Sequence, residues 1–156
     1  MSVGSGPIRG FLVTPTLDTN IYASGDLLFN PKLISEEFWP NSHQVAILQA
    51  LTIVDLGAES AAFDLVFLRA STSWGSLNAA AAPSAAIVGT VVGELSIAAA
   101  DYVSLGSNGS VVSMSNIGLT LFGSDNDDRA CYVAGISRGT PTYAASDLSI
   151  RFGVIR

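Results

Sequence analysis

The sequence predicts an all-β protein, a jelly-roll-like antiparallel β-sandwich spanning residues 21–156 and preceded by an N-terminal arm over residues 1–20. Three observations carry this. Apolar residues recur mainly with period two, turn-forming residues punctuate the chain every ten or so positions, and neither a heptad pattern nor an internal repeat interrupts them. A length of 156 residues suits one core, and no change of composition marks a second unit.

The elements follow in order. The first twenty residues carry Gly4, Gly6, Pro7 and Pro15 and read as an arm leading into the body. Ser35–Asn41, with Glu36, Glu37 and Trp39 before Pro40, reads as a helical turn or a loop. Val45–Leu56 is apolar at both odd and even positions. Its β-branched Thr52, Ile53 and Val54, followed by Gly57, favour a long central strand buried between layers. Phe63, Leu65 and Phe67 alternate with Ala62 and Asp64 before Val66 and Leu68 make that strand apolar on both faces as well. Ser76–Ala86 is alanine-rich around Pro83 and reads as a loop with one helical turn. Asn108-Gly109 supplies the positive φ angles of a two-residue type I′ hairpin between Tyr102–Leu105 and Val111–Met114. Ile117, Leu119 and Leu121 form a further stripe, and Ala130–Ile136 is the strand after the polar break at Asp125–Asp128. Gly139-Thr140-Pro141 turns the chain into the clearest strand, where Leu148, Ile150, Phe152 and Val154 share one face.

Composition narrows the function. Seven basic against thirteen acidic residues give a net charge of −6, which excludes the cationic surface that nucleic-acid binding needs. Only 13% of residues are charged while 49% are hydrophobic, and Lys32 is the sole lysine. The mean hydropathy of +0.45 raises a membrane reading. Yet the richest apolar run, Val45–Val54, is far shorter than the roughly 20 residues of a spanning helix. Met1–Gly6 has no apolar core or cleavage pattern, so no signal peptide is expected. A surface so poor in charge fits either a large core of small residues or an exterior covered by partner chains, and the second reading is preferred.

No motif for catalysis emerges, and neither an enzyme nor a cofactor is expected. His43 and Cys131 are the single members of their types. A Cys/His dyad competes with a solvated loop imidazole and a small buried thiol. Asp125-Asn126-Asp127-Asp128 begins like a calcium loop, but Ala130 and Ile136 stand where an EF-hand needs glycine and glutamate, leaving a solvated acidic turn or another cation site. Gly89–Gly93 and Gly135–Gly139 lack the lysine and hydroxyl of a phosphate loop. Among thirteen acids no spacing singles out a glycosidase pair. Trp39 and Trp74 lie in loops, where they suit a sugar-binding platform or anchors at a subunit interface. The interface residues expected are Gly4, Ile8, Phe11 and Tyr22 along the arm, with Trp39 and Trp74.

The order of several short strings resembles small virion structural proteins of tailed bacteriophages, over Ile8 to Ile155. These are I-Y-A-S-G-D-L at Ile21–Leu27, Asp55 closing the long strand, F-D-L-V-F-L at Phe63–Leu68, G-T-P-T-Y at Gly139–Tyr143 and D-L-S-I-R-F-G-V at Asp147–Val154. The resemblance implies a β-rich capsid decoration, or cement, protein on the outer surface of an icosahedral head. Its partners would be the major capsid protein and copies of itself, as a trimer, with no nucleic acid and no membrane. A tail or baseplate protein and a carbohydrate-binding β-sandwich module are the rival readings. No contact residue is carried over from the family.

Overall fold

The computed structural model describes residues 8–41, 44–123 and 128–156. Among these residues nine strands form two antiparallel sheets: β1 (Ile8–Val13), β2 (Leu27–Ser35), β3 (Val45–Asp55), β4 (Phe63–Leu68), β5 (Val91–Ile97), β6 (Val103–Ser104), β7 (Ser110–Phe122), β8 (Cys131–Ser137) and β9 (Leu148–Ile155). One helical turn, α1 (Ala85–Val88), precedes β5. The five-stranded sheet has the order β1-β9-β3-β7-β6 and the four-stranded sheet the order β2-β8-β4-β5.

This topology is a single long hairpin rolled up. Its tip is β4 against β5, and back along the two arms β3 pairs with β7, β2 with β8 and β1 with β9. Successive rungs alternate between sheets, and rolling adds the lateral pairs β3–β9 and β4–β8. A hairpin wound in this way is the jelly roll, the architecture expected from the sequence. The sheets enclose one core, in which Phe29, Leu48, Leu51, Phe63, Phe67, Val133, Ile150 and Phe152 are fully buried. Phe67 meets Phe152 edge-on across the two sheets, ring centroids 5.8 Å apart.

Four local expectations change. Much of the stretch read as an arm belongs to the body: Ile8–Val13 pairs with β9 along its whole length, and Leu17 and Tyr22 are core residues. Alternation of Ile8, Gly10 and Leu12 with Phe11 and Val13 is a strand signal that glycine and proline nearby obscured. The Asn108-Gly109 turn is wider than a two-residue hairpin, because β6 and β7 pair only up to Ser104 and Ser110. Leu105 N–H closes the loop on Gly109 O at 2.9 Å, with Gly106 and Gly109 at positive φ. Ser35 ends β2 and Glu36–Asn41 is the turn or loop expected there, but it sends Trp39, expected at an interface, into the core together with Phe38. The fourth change concerns β3. Ala46, Leu48, Leu51 and Ile53 line the core, but the opposite face is not buried beneath a second layer.

Candidate functional site

The two sheets present outer faces of different character. Over the four-stranded sheet lies the β4–β5 connection, residues 69–90. Trp74 and Ile87 from this segment close on Leu27, Val66, Leu68 and Ala134 to make a second small core. Asn30 latches it: its Oδ1 accepts the Trp74 N–H at 2.7 Å and its Nδ2 donates to Gly75 O at 3.0 Å. Leu27 N–H donates to Ala79 O, and Ser84 caps α1 by accepting the Ile87 N–H. Beyond this cover the face is charged. Asp64 pairs with Arg138 at 2.6 Å, and Glu94 and Lys32 are exposed.

No chain segment among the described residues covers the five-stranded sheet. Its pairing register places the outward side chains in rows across β1, β9, β3 and β7. One row is Ile8, Ile155, Ile47 and Thr120; the next is Gly10, Gly153, Ala50 and Ser115; a third is Leu12, Arg151, Thr52 and Ser113. Val54 and Val111 extend the face towards Val103, and Val45 and Phe122 close the far corner. Exposure is high at its borders: 66% for Ile8, 56% for Leu12 and 61% for Phe122. Arg151 is the single charged side chain in these rows. A depression of about 190 Å³ opens between Gly10, Leu12 and Arg151. Midway, β7 carries extra residues opposite the break between Leu48 and Ala50, with Asn116 and Gly118 at positive φ. Gln49 Nε2 donates to Asn116 Oδ1 there at 3.1 Å. At ~3.4 Å per residue and ~4.8 Å between strands, β1, β9, β3 and β7 offer roughly 600 Å² of projected surface. Its apolar side chains, Ile8, Leu12, Ile47, Val54 and Ile155, are interspersed with Thr52, Ser113, Ser115, Thr120 and Arg151.

The expected interface residues scatter between this face and the interior. Ile8 stands on the face. Phe11 is half-buried and packs against Phe38 at 5.7 Å between ring centroids. Tyr22, Trp39 and Trp74 are buried, which corrects their expected role as surface anchors. Trp39 is held in the core by its indole N–H, which donates to Leu121 O at 3.0 Å, and Trp74 roofs the four-stranded sheet. A loop position says where the backbone runs and not which way the ring points. Gly4 lies outside the described residues. Sequence reasoning missed Ile47, Ala50, Thr52 and Val54, although the two-sided apolarity of β3 was the signal that could have found them.

The remaining chemistry is sparse. Cys131 is fully buried and burial pushes its thiol well above the ordinary range, so it stays protonated. His43, Asp125 and Asp127 lie outside the described residues, and Asp128 accepts the Ala130 N–H at 2.8 Å. Among the described residues no group of three or more histidine, cysteine or acidic side chains is placed to hold a metal ion. No helix among them is long and apolar enough to cross a membrane. A cleft of about 400 Å³ beside Ala61, Ala99 and Gly139 has its charged groups engaged, Arg138 with Asp64 and Glu59 with the Thr142 N–H.

One buried polar cluster closes the same end of the sandwich. Asp55 is fully buried; its Oδ2 accepts the Ser60 N–H at 2.8 Å, while Oδ1 has no partner. The Tyr102 and Tyr143 hydroxyls are likewise buried and unpartnered. Burial raises the Asp55 carboxyl above its ordinary value, and the nearby Asp147 and Glu59 carboxylates push the same way. Both tyrosines are raised too, by burial first and then by Asp55 and its neighbours. A Cβ on Gly57 would stand 2.7 Å from Asp147 Oδ2 and 3.4 Å from Asp55 Oδ1, so this glycine leaves room for the two carboxylates.

No protein-family model matches the chain, and no curated protein matches it. Among solved structures, one titled Desmodium yellow mottle tymovirus is similar over 99% of this chain and 83% of that chain, at 13% identity and a TM-score of 0.28. The architecture therefore rests on the strand order itself, a β fold of the kind that viral capsid and lectin domains use. The resemblance to tailed-phage decoration proteins gains no family match.

Proposed function

We propose that the protein is a virion structural component, a capsid decoration protein that binds the major capsid protein lattice of a tailed-phage head from outside and stabilises it. The observation that carries this reading is the uncovered outer face of the five-stranded sheet. A folded domain whose second sheet is roofed by its own chain has left one broad face of apolar and small neutral side chains, with Arg151 the single charge in its rows. Such a face contributes binding energy through area and complementarity, and it turns over no substrate. A net charge of −6 suits the outside of a head better than contact with packaged DNA. The small side chains in the rows lose little rotamer entropy when covered. A jelly roll by itself hosts many functions, so the reading rests on the face.

The test is direct. Heads lacking the protein should burst at lower temperature and under milder osmotic shock, and complete virions should contain it in very many copies. A few copies per particle would point instead to the tail or baseplate. The sugar-binding reading loses its platform, because Trp39 and Trp74 are interior residues.

A further inference from the structure

Among the described residues the two sheets have four free edges, and three are blunted. β6 is two residues long. β2 carries Pro31 and Lys32 and three register shifts against β8. β5 displays Glu94, whose charge would oppose its own copy. These are the devices that keep sheet edges from pairing with other chains. β1 is the least blunted: six residues in unbroken register with β9, no proline, lysine or acid, exposed Ile8 and Leu12, and a single charge, Arg9, on the inner side. We propose that β1 pairs antiparallel with β1 of a second copy about a two-fold axis at Gly10.

The pleat restricts the pair to registers centred on a residue, and of these the Gly10 centre sets the two exposed outward side chains, Ile8 and Leu12, against each other. Outward residues must stay outward, because a slip by one would turn apolar side chains to the wrong face. Centring the pair on Gly10 sets Ile8 opposite Leu12 of the other copy, twice, and Gly10 opposite Gly10. Arg9 then faces Phe11 of its neighbour on the inner side, where a guanidinium and a ring attract. The charge-free outward row lets two acidic molecules approach. The five-stranded sheets join into one of ten strands, and their uncovered faces form a single surface of roughly 1,200 Å². An edge of six residues buries less than the about 1,600 Å² of a standard stable interface, so the pair is a reversible one.

Sedimentation velocity on the purified full-length chain tests this without any phage particle, so its outcome is independent of the capsid reading. Gly10 has an ordinary φ and open space around its missing Cβ, so substitutions there fold, as circular dichroism and the melting temperature will verify. The wild type should pass from monomer to dimer with rising concentration, and Gly10→Ser should behave alike. G10K and G10E should each weaken pairing by at least about tenfold, since like charges then meet across the axis. An equimolar mixture of the two should regain the dimer. A wild type that stays monomeric to about 1 mM overturns the proposal. So does a trimer or other oligomer indifferent to both variants, or a mixture that fails to recover.

Discussion

Both sheets of this jelly roll carry apolar side chains on their outer faces, yet among the described residues only one is covered by its own chain. Val66, Leu68 and Ala134 on the four-stranded sheet are covered by Trp74 and Ile87, carried there by a long connection that Asn30 fastens down. Ile47, Val54 and Ile155 on the five-stranded sheet meet no such segment among the described residues. Burial of apolar surface is favourable by about 25 cal/mol per Å² within a chain, and between chains the same burial is offset by the lost freedom of two bodies. Cover supplied in cis adds to folding stability. Cover supplied in trans appears as association, and the contrast between the faces separates these two uses of the same physics.

Substitutions on each side can break that contrast. The largest effect is expected for Trp74→Ala, which removes the roof of the second core. It should cost about 3–5 kcal/mol in urea unfolding and leave particle binding intact under conditions where the variant stays folded. Ile47→Lys should do the reverse. An unpaired ammonium in an apolar contact should cut occupancy on heads by at least about tenfold, while the free protein loses no more than about 1 kcal/mol. If Ile47→Lys binds heads like wild type, the uncovered face is not the contact.

Asp55 sharpens the comparison from a neutral position at the end of the sandwich. A folded-state carboxyl raised above its ordinary 3.8 binds protons more readily than in the unfolded chain. Its stabilisation is full below that ordinary value and is lost as pH rises through the raised one. Asp55→Asn should therefore flatten the decline in melting temperature as pH rises above the ordinary carboxyl value, without altering head binding. The smallest effect belongs to Arg151→Ala, which should shift stability by less than about 0.5 kcal/mol. It should also make head binding less sensitive to salt, because the face then carries no charge.

Much of the fold was legible because alternation reports a half-buried strand directly. β9 shows this best, with Leu148, Ile150, Phe152 and Val154 all buried and the intervening residues more exposed. The helical turn expected within Ser76–Ala86 lies at its end and beyond, over Ala85–Val88, where Ser84 caps it. The interface was much less legible. Trp39 and Trp74 sit in irregular segments whose side-chain direction depends on contacts distant in sequence, Leu121 for the first and Asn30 for the second. Their burial could not be read from neighbours along the chain. β1 was obscured by the glycines and prolines around it.

By itself the sequence determined that the chain is β-rich, acidic, poor in charge and apolar on both sides of β3, since these properties belong to residues and their immediate neighbours. Only the tertiary structure decided which apolar face is roofed and which stays open. That outcome depends on where the rolled hairpin carries residues 69–90, and a periodic pattern records that a face is apolar without recording what will lie against it.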